Sequence, residues 1–346
     1  MVNNSNSRLV QFELLRILAM FGVVLNHVFN YGLDIYGDFG IDVSKNGGFM
    51  LWSVLELMKL IALPSVNCYI LITGYFLIDK TQLRVKGIWK VWSTTWVYAV
   101  GIYMLAVLAG ITPFSWPELM HHAAPLTTNS YWFVTSYIAL MLICPLLSLG
   151  LRHLSKRQYQ IALVVGGLVC FQPLGGQFLM DDQQIILFVY LFMIGGYIRR
   201  YHEKTPPIRL ALLSYLGMLL LMFAYTLYKN HQHGSMHYAV FAMAYHGLVL
   251  PLSVAFFLLM KNLRIGNPRV RDAIIAVAPL SFAVYVIHTQ SVVHTLLWEA
   301  VNKSWHLVGI YALPLYCVSV AVAVFIIGVL LEFIRVRLAH AIAAYF

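Results

Sequence analysis

The sequence predicts an all-α, polytopic membrane protein of about ten transmembrane helices with both termini cytoplasmic. Three observations predict it: a succession of long apolar stretches, basic residues gathered on alternate loops, and a composition too apolar for a soluble globule. The apolar segments run at roughly 9–30, 54–78, 88–110, 131–150, 158–174, 183–200, 208–228, 238–260, 273–298 and 307–335. Nearly all approach or exceed the ~20 residues that a helix needs to cross a bilayer.

The charge pattern orients them. With Arg8 inside, the loops on the same side carry Lys80, Arg84, Lys86 and Lys90, then Arg152, Lys156 and Arg157, then Arg199, Arg200, Lys204 and Arg209, then Lys261, Arg264, Arg269 and Arg271, with Arg335 and Arg337 in the tail. The opposite loops hold Lys45, Lys229 and Lys303, and Arg16 and Lys59 fall within helices. A bias repeated at every loop is the positive-inside pattern. The net charge of +10 is accordingly an orientation signal and calls for no nucleic-acid partner. A content of 61% hydrophobic and 10% charged residues leaves too little polar surface to cover a soluble domain of 346 residues.

Loops between the segments are short, without a low-complexity tract, a soluble insertion or an internal repeat, so residues 1–346 read as a single membrane domain. The first segment is too long, and lacks the small-residue site, for a cleaved signal peptide. Cys68, Cys144, Cys170 and Cys317 lie apart in apolar segments and read as small packing residues. The outer connections hold Asp34, Asp38 and Asp42 in the first, Glu118, His121 and His122 in the second, and His231, His233 and His237 in a third. That histidine group lacks fixed ligand spacing and acidic neighbours, so no metal site is expected.

Chemistry is sought among polar groups within the bilayer, where each is costly and a functional role is the first hypothesis. The first helix is the richest, with Glu13, Arg16 and His27. Eleven residues is about three helical turns, so Arg16 and His27 share a face roughly 16 Å apart along the axis, with Glu13 one turn below to partner the guanidinium. Arg16 would then sit roughly 10 Å in from the cytoplasmic boundary and His27 roughly 27 Å in, near the outer edge of the hydrocarbon core. His246 and His288 reach the outer half from other helices. Tyr131 and Trp132 open the fourth helix at the outer mouth, where aromatics form an interfacial belt or the floor of a sugar-binding cleft. Glu56 and Lys59, one turn apart, read as a local pair on an outer amphipathic turn, with a role in substrate binding as the alternative.

Arg16, ten residues and His27, preceded by Glu13 within Leu-Leu-Arg-Ile-Leu-Ala, resembles the first-helix signature of the acyltransferase 3 family of integral membrane acyltransferases. Cys68-Tyr-Ile-Leu-Ile-Thr-Gly-Tyr-Phe-Leu-Ile is similar to that family's Phe-Phe-x-Ile-Ser-Gly-Tyr segment. Ser130 to Leu140, Gly195-Gly196-Tyr197 and Ser281 to His288 also have counterparts, in the same order. Glu13 stands where Asp is commoner, and the family's cytoplasmic Arg-x-x-Arg is replaced by the looser Arg84, Lys86 and Lys90.

The resemblance implies transfer of an acyl group, usually acetyl, from cytoplasmic acyl-coenzyme A to a hydroxyl of an extracytoplasmic glycan or lipid-linked sugar. It implies an enzyme of the bacterial plasma membrane acting on exopolysaccharide or cell envelope, with acetyl-coenzyme A as co-substrate and no bound cofactor. His27, Arg16 and Glu13 are then the catalytic group. Arg84, Lys86 and Lys90 suit the donor phosphates, and Tyr131, Trp132 and His288 the substrate. Whether His27 acts as a base or carries the acyl group itself stays open at this level. A proton-coupled transporter or flippase, using Glu13, Arg16 and the histidines as a relay, is the competing class; repeat symmetry and paired broken helices, which would favour it, are not evident. Haem held by histidine pairs has less support, because no two of these histidines share axial spacing.

Overall fold

The computed structural model of the chain describes residues 9–33, 48–170, 184–202, 206–233 and 248–345. Asp34, Asp38, Asp42, His237 and His246, with Arg8, Lys45 and Lys204, lie outside the described residues. The described residues are helical, in the order α1 (Val10–His27), α2 (Gly48–Ala62), α3 (Ser65–Leu77), α4 (Val85–Leu108), α5 (Trp116–Ala123), α6 (Trp132–Arg152) and α7 (Lys156–Cys170). They continue with α8 (Gln184–Tyr201), α9 (Ile208–His233), α10 (Val249–Lys261), α11 (Pro268–Val277), α12 (Ser281–Thr289), α13 (Ser291–Ser304) and α14 (Leu313–Tyr345).

Seven stretches among the described residues are long and apolar enough to span a bilayer: Val10–Gly32, Gly48–Leu77, Val85–Leu108, Trp132–Arg152, Ile208–Tyr228, Pro268–Thr289 and Ile310–Ala343. The other three predicted segments correspond to α7, α8 and the shorter apolar helix Val249–Lys261, and each borders residues outside the description. The chain is a multi-pass, all-helical membrane protein.

Two predicted segments are subdivided. The second begins earlier, at Gly48, and turns at Leu63-Pro64 between α2 and α3, because a proline nitrogen cannot donate within a helix. The ninth, read as one helix over 273–298, ends at Thr289, and α13 starts anew at Ser291. Gln290 makes the break: its buried side-chain oxygen accepts from the backbone N–H groups of Val292 and Val293 at 2.9 and 3.1 Å, as a helix cap does. Pro279 lies in a 3₁₀ turn, Ala278–Leu280, between α11 and α12.

The chain forms two compact units. The first contains residues 1–68, 205–288 and 294–346, and the second residues 69–204 and 289–293. In the first, α1 packs on α2, α10, α11 and α14. Phe12 meets Phe257 with ring centroids 5.5 Å apart. Leu60, Tyr215, Leu219, Met222, Val249, Leu252 and Ala255 form one buried apolar cluster of this unit. Gly22 lets α1 approach the start of α3: a Cβ there would lie 2.1 Å from Ser65 Oγ.

The second unit is organised by a tighter crossing. A Cβ on Gly74 would lie 2.2 Å from the Phe192 carbonyl oxygen, and one on Gly195 would lie 2.3 Å from that of Leu71. Thr-Gly-Tyr of α3 and Gly-Gly-Tyr of α8 are thus two halves of one small-residue contact, the device by which membrane helices gain dispersion energy without a hydrophobic driving force. Beside it the Arg199 guanidinium lies 5.2 Å from the Tyr75 ring centroid, and Ser148 Oγ donates to the Leu77 carbonyl at 3.0 Å.

Candidate active site

The polar residues of the first helix occupy the first unit and fall at its two ends. Near the start, Arg16 Nη1 donates to Glu13 Oε1 at 2.6 Å, with Glu13 buried and the Arg16 side chain about one-third exposed. The i,i+3 spacing puts the two on adjacent turns of one face.

At the far end His27 is the last α-helical residue, and the chain continues as a π-helical turn, Val28–Gly32. Such wider turns collect at functional sites because they re-aim side chains. This one sets the Tyr31 ring edge-on to His27, centroids 5.1 Å apart, and turns Asn30 so that its Oδ1 accepts from Lys59 Nζ at 2.6 Å. That contact corrects the reading of Glu56 and Lys59 as an outer amphipathic pair. Both lie inside the unit, 2% and 1% exposed, because Asn30 of the π turn gives the ammonium a buried partner.

His27 is joined to His288 of α12. Their Nδ1 and Nε2 atoms are 2.9 Å apart, and His288 is almost fully buried. The proton positions follow from the third group. His288 Nδ1 bonds the Val284 carbonyl one turn back, and a carbonyl only accepts, so Nδ1 of His288 carries the proton. With both rings neutral, His288 Nε2 is then an acceptor and His27 Nδ1 must be the donor to it. The His27 Nε2 lone pair is left unengaged by this chain of bonds, which is the tautomer in which that nitrogen can accept a proton.

Three more aromatic groups of the same unit close around the dyad. Trp298 of α13 is buried and stands perpendicular to both imidazoles, 6.5 Å from His27 and 6.2 Å from His288 by centroid. His294 packs 4.7 Å from Tyr31 and 6.3 Å from Trp298. Trp298 Nε1 is buried without a hydrogen-bond acceptor among the described residues. Tyr31, His294 and Trp298 were not singled out from sequence, because the segment carrying the last two reads as a continuation of the His288 helix. The break at Gln290 is what folds them back.

The remaining predicted site residues belong to the second unit. Arg84, Lys86 and Lys90 are exposed at the start of α4. Tyr131 is buried at the head of α6, whereas Trp132 is half-buried, its ring centroid 6.3 Å from that of Phe188. In α5, His121 Nε2 lies 2.9 Å from Ser130 Oγ, and His122 is buried against Tyr103. Burial, then the neighbouring His121, lowers the His122 pKa below its usual 6.5 against the pull of Glu118. Among the described residues no three His, Cys, Asp or Glu side chains are grouped as a metal site.

A bundle of long apolar helices that carries an arginine–glutamate pair and a histidine dyad in one unit defines a polytopic membrane protein with polar groups held inside it. Comparison with protein families matches residues 9–333 to the acyltransferase domain family, acyltransferase 3, and the chain belongs to it. No curated protein and no solved structure matches the chain.

Proposed function

We propose that this membrane acyltransferase moves an acyl group, acetyl in the simplest case, from cytoplasmic acyl-coenzyme A to a hydroxyl of an extracytoplasmic glycan or lipid-linked sugar. The observation that carries the reading is the 2.9 Å bond to His288 made by His27, which lies on the same helix, α1, as Arg16. In the proposed reaction the acceptor hydroxyl oxygen attacks the thioester carbonyl carbon, and His27 Nε2 takes the hydroxyl proton. The carbon–sulfur bond then breaks, the ester remains on the acceptor, and the imidazolium returns the proton to the leaving thiolate. His288 holds the ring of His27 in the required tautomer; from sequence alone it read as a substrate contact. Arg16, held by Glu13 three turns from His27, lies too far along α1 to touch the reacting carbonyl and is proposed to orient the donor along the path to it. A covalent acyl-His27 intermediate would use the same nitrogen.

The wider assignment rests on the charge pattern. Both termini are proposed to face the cytoplasm and the chain to reside in the bacterial plasma membrane, with residues 1–346 acting as one acyltransferase domain on exopolysaccharide or another envelope glycan. Arg84, Lys86 and Lys90, exposed at the head of α4, are proposed to draw the anionic donor to the inner surface. Tyr131 and Trp132 are proposed as contacts of the acceptor, and in the first unit the exposed Tyr31 ring beside His27 offers a flat face that suits a sugar. A second reading, a proton-coupled transporter or flippase, is favoured by the buried Glu56 and Lys59 inside an apolar span.

Mass spectrometry of surface glycan from a deletion strain complemented with wild type or His27→Ala tests the proposal. The wild type should restore an acyl ester that the variant does not. Identical acylation in all three strains would reject it.

A further inference from the structure

The first unit holds a second polar feature at the opposite end of α1 from the dyad. A cleft of about 850 Å³ opens where the start of α1, the segment before α9 and the α10–α11 connection meet, with Gln11, Pro206, Lys261, Asn262, Arg264 and Arg271 in its wall. Its lining contains three cationic side chains and no carboxylate. From sequence these cations were only part of the orientation signal, but the positive-inside rule requires charge near a membrane boundary and does not require convergence on one cleft.

The wall is also built in place. Asn262 Nδ2 donates to the Pro206 carbonyl at 2.9 Å and to the Leu258 carbonyl at 3.1 Å, tying the α10–α11 connection to the segment before α9. Asn267 Oδ1 accepts from the Arg269 and Val270 backbone N–H groups and caps α11, which fixes the helix that carries Arg271. Arg264 and Arg271 have exposed side chains, and no side-chain hydrogen bond or ion pair joins either to another described residue. Guanidinium forks match phosphate oxygens two at a time, and an ammonium adds a point charge. A volume of this size lies within the range of cofactor-sized sites.

We infer that this cleft seats the phosphates of the acyl donor, a nucleotide thioester of the coenzyme A type that carries a diphosphate and a further phosphate. The inference rests on the acyl-transfer reading above and adds where the donor is held. Three cations suit a ligand with several phosphates better than one with a single phosphodiester. The location fits the path: along α1, Arg16 lies roughly 7 Å beyond Gln11 and His27 roughly 24 Å beyond it, so a donor anchored here extends its acyl end along the helix toward the dyad. Arg84, Lys86 and Lys90 then attract the donor from solution, and Lys261, Arg264 and Arg271 hold it.

An anionic phospholipid headgroup offers the same phosphate chemistry, and the test separates the two. The full chain in phosphatidylcholine nanodiscs is titrated with coenzyme A, as wild type and as Arg264→Gln/Arg271→Gln, with Lys303→Gln as a control on the charged exterior. The double variant should bind coenzyme A at least about tenfold more weakly, since each lost charge-assisted contact costs on that order. Arg264→Lys/Arg271→Lys should fall between, and melting temperatures should be alike. Unchanged coenzyme A affinity in the double variant, beside a wild type that binds, overturns the cleft assignment and leaves the acyltransferase reading intact. Loss of retained phosphatidylglycerol, read by native mass spectrometry, with no change in coenzyme A binding would make the cleft a lipid site and also overturn it. A wild type that binds no coenzyme A rejects the donor reading and the cleft assignment together.

Discussion

The two compact units handle polar groups inside an apolar bundle in opposite ways. In the first, Glu13, Glu332, Lys59 and the His27–His288 dyad are each held by a designated neighbour, and Glu56 is buried with its Oε1 unpartnered among the described residues. In the second, the α3–α8 crossing is closed with glycine and backbone, and the Arg200–Asp79 ion pair is kept at the exposed rim. A buried unpaired charge costs several kcal/mol, so a fold retains such groups where a reaction uses them and otherwise packs without them. The difference teaches where to look for chemistry: the first unit should respond to mutation through turnover, the second through stability.

The largest effect is expected at the dyad. His27→Ala should lower acyl transfer by roughly a hundredfold to ten-thousandfold, the range for loss of a positioned base, while the melting temperature in detergent stays close to that of the wild type. A His27 variant that unfolds in proportion to its lost activity would erase the contrast between the units.

Next is the crossing of the second unit. Gly195→Leu must displace the Leu71 carbonyl, since even a Cβ would sit 2.3 Å from it, and overpacking of this kind costs about 1–3 kcal/mol or more. Thermal unfolding should show the loss, with activity per folded molecule largely retained. A variant of full stability and low turnover would move chemistry into the second unit.

Neutralising Arg84, Lys86 and Lys90 together should raise the apparent donor KM several-fold at low salt, with a small change in maximal rate and little effect at high salt, where exposed charges are screened. An unchanged donor KM at low salt would reduce these residues to an orientation signal.

The smallest effect concerns His122. Its pKa is depressed on folding by burial and by His121, so the unfolded chain binds more protons below 6.5, and stability falls as pH drops from about 6.5 toward the folded-state pKa. His122→Gln should flatten that acid-side loss without moving the melting temperature at pH 8. An unaltered slope would assign the acid sensitivity to other groups.

Much of this contrast was legible in the sequence where the signal is one-dimensional. Helical spacing placed Glu13 beside Arg16 and His27 three turns on, loop charge marked the apolar segments, and Thr73-Gly74-Tyr75 and Gly195-Gly196 announced themselves as motifs. What stayed hidden depends on contacts between distant segments. No periodicity says that the His288 and His27 rings meet, that Gln290 ends a helix in an apolar run, or that Trp298 folds back onto the dyad. The burial of Lys59 was misread because its partner, Asn30, is turned toward it by a π turn that leaves no local sequence signature. Arg264 and Arg271 were counted correctly as charge near a boundary, but their convergence on one cleft is a tertiary fact.

The central claim is acyl transfer across the membrane through His27, and sealed vesicles carrying the protein test it most directly. Acyl-labelled coenzyme A is enclosed within, acceptor glycan is supplied outside, and both pools are followed over time. The account predicts label on the outer acceptor and consumption of inner acyl-coenzyme A with the wild type, and neither with His27→Ala or Arg16→Ala. Movement of unmodified acceptor across the membrane with the coenzyme A pool untouched would contradict it and make the protein a transporter.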